Sequence, residues 1–245
     1  MLERKRIGII LPSVNNVLES DLADIVPEGY TYHTTRMPII STGMTLQSLR
    51  DMNESIEGCA DLLSHCGMDV LAYGCTSGSF MEGPGYDQKI ISLIESTSGL
   101  PAIATAAASA EAMHFLGLKK ISIVTPYPDE VNQTIPAFFE GNGFEVISIT
   151  GRGFGVTKSD DIWRDPPDKI AQFAIQHCAP EADGLFMSCT SWNAFSVADQ
   201  VEQAIGRPVV TSNQATIWAT FRKVGYMQGL SGYGKLLRDG FTVSG

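Results

Sequence analysis

The chain carries the tripeptide Cys-Thr-Ser twice, each time just after an apolar run: "DVLAYGCTSGSF" with Cys75 and "DGLFMSCTSWNAF" with Cys189. The two cysteines are 114 residues apart. The same offset relates "RIGIILPSVNN" to "KKISIVTPYPDEVN" through Ile7 and Ile121 and through Pro12 and Pro126. Further on, "LPAIATAAASAEAMHFLGL" resembles "RPVVTSNQATIWATFRKVGY", with Pro101 and Pro208 offset by 107. Three landmarks in one order at nearly one spacing predict an internal duplication. The fold of this chain must therefore be one that can be built twice, each time from about half of its 245 residues.

Apolar runs of strand length alternate with helix-length periodic segments. The expected strands are "RIGIIL", "YTYHTTRM", "DVLAYG", "PAIATA", "KISIVT", "FEVISI", "DGLFMS" and "PVVTS". Helical stretches include "TLQSLRDMNESIEGCADLLSHC", "GYDQKIISLIEST", "DEVNQTIPAFFEGNG" and "NQATIWATFRKVG". Near-continuous apolar strands joined by amphipathic helices indicate parallel sheets covered on both faces. The predicted class is α/β: two pseudosymmetric, Rossmann-like (flavodoxin-like) parallel-sheet domains with the active site in the cleft between them. The expected first half is 1–115 with 213–245 returning to it, and the second is 116–212.

Ligands in open parallel sheets bind beyond the carboxyl ends of the strands. Pro12 to Asn15, Cys75-Thr76-Ser77, Pro126-Tyr127 and Cys189-Thr190-Ser191 all follow apolar strands. With the halves facing one another, these four loops line one cleft, and two cysteines approach a small ligand from opposite sides.

Composition narrows what that ligand can be. The net charge of −10 speaks against a nucleic-acid backbone or an anionic membrane surface as partner. The opening "MLERKRIGIIL" is basic, but its apolar run is too short for a signal peptide, and a cytoplasmic protein is expected. The five cysteines (Cys59, Cys66, Cys75, Cys178 and Cys189) are an odd number with no CxxC pair, which argues against a disulfide framework. The four histidines have no zinc-ligand spacing, and "SGSFMEGPGYD" is not a phosphate loop. The expected partner is a small carboxylate, and a homo-oligomer is expected.

At these residues the chain resembles the aspartate/glutamate racemase superfamily. Within it, the likeness is greatest to the maleate cis–trans isomerases and their relatives, the arylmalonate decarboxylases and ectoine-utilisation proteins. It covers essentially the whole chain. "GIILPSVNNVLESDL" resembles an opening strand, loop and helix in which an asparagine, here Asn15, contacts a substrate carboxylate. "AYGCTSGS" and "SCTSWNA" resemble the two cysteine motifs, and the tyrosine of "VTPY" is Tyr127. Racemases of this fold tend to carry Cys-Asn-Thr and Gly-Cys-Thr, and arylmalonate decarboxylases have glycine at the first cysteine position. The double Cys-Thr-Ser thus favours the isomerase branch. One feature departs from it: where maleate isomerases carry a second carboxylate-binding asparagine, "GRGFGVTKSDDIW" has none, and Lys158 or Ser159 stands near that place.

The chemistry has a physical basis. Thiolates are the reactive form of cysteine, and a helix N-terminus stabilises them. Both motifs are expected to place their cysteine just before such a terminus. Thr76, Ser77, Thr190 and Ser191 offer hydroxyls and N–H groups to a carboxylate that gains charge as its α-carbon becomes carbanion-like. The resemblance implies an isomerase with Cys75 as nucleophile and Cys189 as acid/base, with Asn15 and Tyr127 helping to hold the substrate. Such chemistry requires no cofactor and no metal. The alternatives are a racemase using one thiol on each face, a decarboxylase in which Cys189 protonates a carbanion, and a carboxylate-binding protein without catalysis.

Overall fold

The computed structural model describes residues 4–39, 43–154 and 159–241. All eight expected strands form: β1 (Lys5–Pro12), β2 (Tyr30–Met37), β3 (Val70–Tyr73), β4 (Ala102–Ala104), β5 (Lys120–Thr125), β6 (Glu145–Gly151), β7 (Gly184–Met187) and β8 (Val209–Thr211). They make two four-stranded parallel sheets, ordered β2-β1-β3-β4 and β6-β5-β7-β8. Each half thus repeats one winding, as the duplication in the sequence predicts.

Register carries the repeat down to single residues. Ile7 opposite Val70 in the first sheet recurs as Ile121 opposite Gly184 in the second. Leu71 opposite Ala102 recurs as Leu185 opposite Val209, where the offset of the last strand drops to 107. The shortening therefore lies between β7 and β8. One difference is local: a bulge between Ile121 and Ser122 slips the pairing of β5 with β6. The central strands bury Ile7, Ile9, Ile10 and Leu11 on one side of the molecule and Ile121, Ile123 and Val124 on the other. Each such side chain contributes about 1.5–3 kcal/mol over its exposed state. The edge strands β2 and β6 are only half-buried.

Two expected helices are each split. The 45–66 stretch forms Leu46–Asn53, started by a capping box between Thr45 and Ser48, and then Ile56–Ser64. The 129–143 stretch forms Asp129–Asn132 and then Ile135–Gly141, restarted with Pro136 in its first turn. The halves meet through the twin helices Thr105–Phe115 and Ser212–Lys223, which pack together and share a hydrogen bond between Thr105 Oγ1 and Thr216 Oγ1 at 2.9 Å. The terminal helix Gly234–Asp239 packs on helices Ala198–Ile205 and Ser212–Lys223 and on β8, and Ser212–Lys223 packs in turn on Thr105–Phe115, β3 and β4 of the first half. Among the described residues no helix is long and apolar enough to cross a membrane.

Candidate active site

Each cysteine follows the third strand of its sheet, and the two sheets bring both thiols to one pocket. Cys75, Thr76 and Ser77 line it from the first half; Tyr127, Cys189, Thr190 and Ser191 line it from the second. Among the described residues the rest of the wall is Pro12, Val14, Ile39, Met44, Leu49 and Ile162. No charged side chain stands among these lining residues. The enclosed cavity measures about 20 Å³, room for one water.

The first-half motif is conventional. Cys75 has φ −141° and stands as N-cap of helix Thr76–Phe80, with the Gly78 N–H donating to its Sγ at 3.4 Å. The Ser77 hydroxyl lies 3.8 Å from the same sulfur.

The second-half motif is not. No helix begins at Thr190, contrary to the expectation for both cysteines. Cys189 has φ +136° and, among the described residues, is the one non-glycine with positive φ. Such a backbone costs about 1–3 kcal/mol and persists only where its surroundings hold it. Here the Cys189 N–H donates to Ser212 Oγ at 2.9 Å, and Thr190 Oγ1 reaches across to the Gly74 carbonyl at 3.0 Å. Asn15 Nδ2 donates to Thr190 Oγ1 at 3.0 Å, and Asn213 Nδ2 to the Thr190 carbonyl at 3.2 Å. Downstream, the buried Trp192 donates its indole N–H to Asp165 at 2.9 Å, and Asp165 in turn pairs with Arg152. Ser212 accepts from Thr76 Oγ1 as well, at 2.8 Å, so one hydroxyl ties the two motifs together.

Burial dominates both thiols. It pushes Cys75 up, against the donors Gly78 N–H, Ser77 and Tyr73. It pushes Cys189 up to about 12, helped by negative charge on Cys75 and opposed by the Ser191 N–H and Tyr127. The expected helix-end stabilisation is therefore outweighed here by desolvation.

Tyr127 is fully buried with its ring edge-on to Phe80. Its hydroxyl accepts from Ser188 Oγ at 3.2 Å. Asn15 stands behind Thr190 and is not part of the pocket wall. Its Oδ1 accepts from the N–H groups of Val17 and Leu18 at 3.0 and 3.2 Å, capping helix Val17–Ile25. Lys158 lies outside the described residues, and Ser159 opens the 3₁₀ turn Ser159–Arg164 that brings Ile162 to the wall. Cys59 is buried, Cys178 half-buried and Cys66 exposed, all away from the pocket. Among the described residues no group of His, Cys, Asp and Glu could hold a metal ion.

Sequence reasoning missed the apolar wall of Ile39, Met44, Leu49 and Ile162, which no motif marks. It also missed Ser212, although the offset of 107 pairs that residue with Thr105 at the start of the twin helix.

The sequence model of the arylmalonate decarboxylase family matches residues 7–237. The chain is 26% identical to a maleate isomerase of Geobacillus stearothermophilus over 97% of its own length and 98% of the relative's. It is 27% identical to an arylmalonate decarboxylase of Bordetella bronchiseptica, over 95% and 96% of the two chains. Among solved structures it superposes on a Nocardia farcinica maleate cis–trans isomerase, a cysteine-to-serine mutant with a covalently bound succinylcysteine intermediate. The TM-score is 0.88 at 22% identity, covering 96% and 98% of the two chains.

Proposed function

The chain belongs to the arylmalonate decarboxylase family, in the aspartate/glutamate racemase superfamily, and on that premise we propose that it is a cysteine-dependent cis–trans isomerase of a small unsaturated carboxylate of the maleate type. The observation that carries this reading is the convergence of two thiols in unlike backbones on one pocket: Cys75 at the start of a helix, and Cys189 at positive φ.

The Cys75 thiolate adds to one alkene carbon of the cis substrate, forming a C–S bond. The π electrons move to the neighbouring carbon and into its carboxylate, and the Cys189 S–H protonates that carbon. The former double bond is now single and rotates. Cys189 then takes a proton back from the same carbon, the double bond re-forms as trans, and the C–S electron pair returns to Cys75. Tyr127, the hydroxyls of Ser77 and Ser191 and the N–H groups of Thr76, Ser77, Thr190 and Ser191 hold the carboxylate that carries the developing charge; the Thr76 and Thr190 hydroxyls donate instead to Ser212 and to the Gly74 carbonyl. Asn15 serves by fixing Thr190.

Proton NMR of the protein with maleate tests this directly: fumarate should accumulate with no change in total dicarboxylate. Release of CO₂ from an arylmalonate with no fumarate formed would move the protein to the decarboxylases. Optical inversion of an amino acid or hydantoin would move it to the racemases.

A further inference from the structure

One buried tyrosine stands beside the nucleophile and plays no part in the steps above. Tyr73, at the end of β3, is fully buried and does not line the pocket. Its hydroxyl donates to Asn53 Oδ1 at 2.5 Å, and it shares with the Cys75 sulfur the space beside Gly78, where a Cβ would meet both atoms. The orientation of Asn53 is fixed, because its Nδ2 donates to the Gly78 carbonyl at 2.9 Å and to Tyr86 Oη at 3.2 Å. Oδ1 therefore has to face Tyr73. The Gly78 N–H closes the ring on Cys75 Sγ at 3.4 Å.

Gly78 is a glycine for reasons of space. It lies in a helix and its φ is not positive, yet a Cβ there would overlap the Tyr73 hydroxyl and crowd Cys75 Sγ, 3.1 Å away. The missing side chain is the seat in which the phenol reaches the sulfur. A phenol has one hydrogen to donate and, when donating, still accepts. While Cys75 is a thiol, that hydrogen rests on Asn53 Oδ1. When the thiol loses its proton to solvent water, the sulfur gains charge and becomes the stronger acceptor.

We propose that Tyr73 is a positioning residue for Cys75, a switchable donor whose hydroxyl hydrogen turns from Asn53 Oδ1 to Cys75 Sγ as the thiolate forms. Tyr73 keeps its proton throughout. Burial and the adjacent thiolate charge hold the phenol well above its ordinary range, so it remains a donor wherever Cys75 is ionised. In the second half Met187 stands where Tyr73 does and Trp192 where Gly78 does, so the hydroxyl beside Cys189 comes from another strand end, on Tyr127. The inference rests on the reading of Cys75 as the reacting thiolate, but its test measures ionisation and not turnover.

The experiment is the pH dependence of Cys75 alkylation by iodoacetamide, followed by peptide mass mapping in a Cys66→Ser, Cys189→Ser background. Hydrogen bonds to charged groups are worth enough to shift an ionisation by about one to two pH units. Tyr73→Phe should accordingly slow Cys75 alkylation about 10- to 100-fold at neutral pH while leaving the high-pH plateau unchanged. Gly78→Ala, which retains the phenol but removes its seat, should move the midpoint the same way and serves if Tyr73→Phe does not fold. A raised plateau at an unmoved midpoint is what loosened packing would give, and it would overturn the proposal; so would two variants that titrate like the parent. A shifted midpoint in a protein that converts no maleate would keep Tyr73 in this role and reject the isomerase.

Discussion

The Cys-Thr-Ser of the first half and that of the second are one sequence in two backbones. Cys75 caps a short helix with ordinary dihedrals, while its twin Cys189 sits at φ +136° before a non-helical turn. The strands leading to them pair in the same register, so the divergence begins at the cysteine itself. Three residues on, Gly78 lets the first motif wind into a helix around Tyr73. At the equivalent place Trp192 is drawn into the core by Asp165. The repeat places two thiols in the site, and their surroundings are unequal: a short helix behind Cys75, a strained turn behind Cys189.

The largest test of that inequality exchanges each thiol for a hydroxyl. Cys75→Ser should lower turnover of maleate by roughly 10⁴–10⁶-fold, since a serine hydroxyl is hardly ionised near neutral pH. Cys189→Ser should cost only about 10²–10⁴-fold, the range of acid–base catalysis. Intact-mass spectrometry of the Cys189→Ser variant with maleate should then show Cys75 heavier by one substrate. Equal losses in the two variants with no adduct would make the thiols equivalent and break the comparison.

A second contrast is that the first half braces the second. Asp21 on helix Val17–Ile25 accepts from Asn213 Nδ2 at 2.5 Å, and the same nitrogen donates to the Thr190 carbonyl. Burial, with some help from Asp24, pushes Asp21 up to about 7. Among the described residues Asn213 Oδ1 is buried with no hydrogen-bond partner. The sign follows from linkage. Above the unfolded value of 3.8 the unfolded chain releases this proton while the folded chain retains it, so stability falls as pH rises from about 4 to about 7. The fall is on the order of 4 kcal/mol. Asp21→Asn, which supplies a permanent N–H, should remove it. Urea denaturation at pH 5 and pH 8 checks this: the variant's advantage over the parent must grow with pH, and an advantage that shrinks would show Asp21 to be ionised and well solvated.

The smallest effect belongs to the twin hydroxyls at the start of the facing helices. Ser212 holds the Cys189 N–H, whereas Thr105 donates to the Tyr73 carbonyl and holds no cysteine. Ser212→Ala should cost about 1–3 kcal/mol by leaving a buried N–H unpaired, and turnover should drop about tenfold as Cys189 shifts. Thr105→Ala should change stability while turnover stays near the parent's. Equal turnover in the two variants would show that the strained backbone of Cys189 does not depend on Ser212.

The sequence by itself determined the repeated architecture. Apolar runs bounded by polar turns specify strands locally, and the offset of 114 recurs as residue-for-residue register in the two sheets. It also determined that both cysteines lie at carboxyl ends of strands, where the halves can meet. Only the tertiary structure decided what each Cys-Thr-Ser becomes. Whether the chain after a cysteine winds into a helix or is held at positive φ depends on partners far along the chain: Ser212 on the Cys189 N–H, Gly74 on Thr190, Asp165 on Trp192. The same holds for the place of Asn15, whose Oδ1 caps a helix while its Nδ2 donates to Thr190, far along the chain. The acidity of the thiols is likewise non-local. A helix end favours the anion through adjacent amides, but burial by the opposite half and by Ile39, Met44 and Ile162 removes water from both sulfurs, and desolvation in a closed pocket outweighs a short helix dipole.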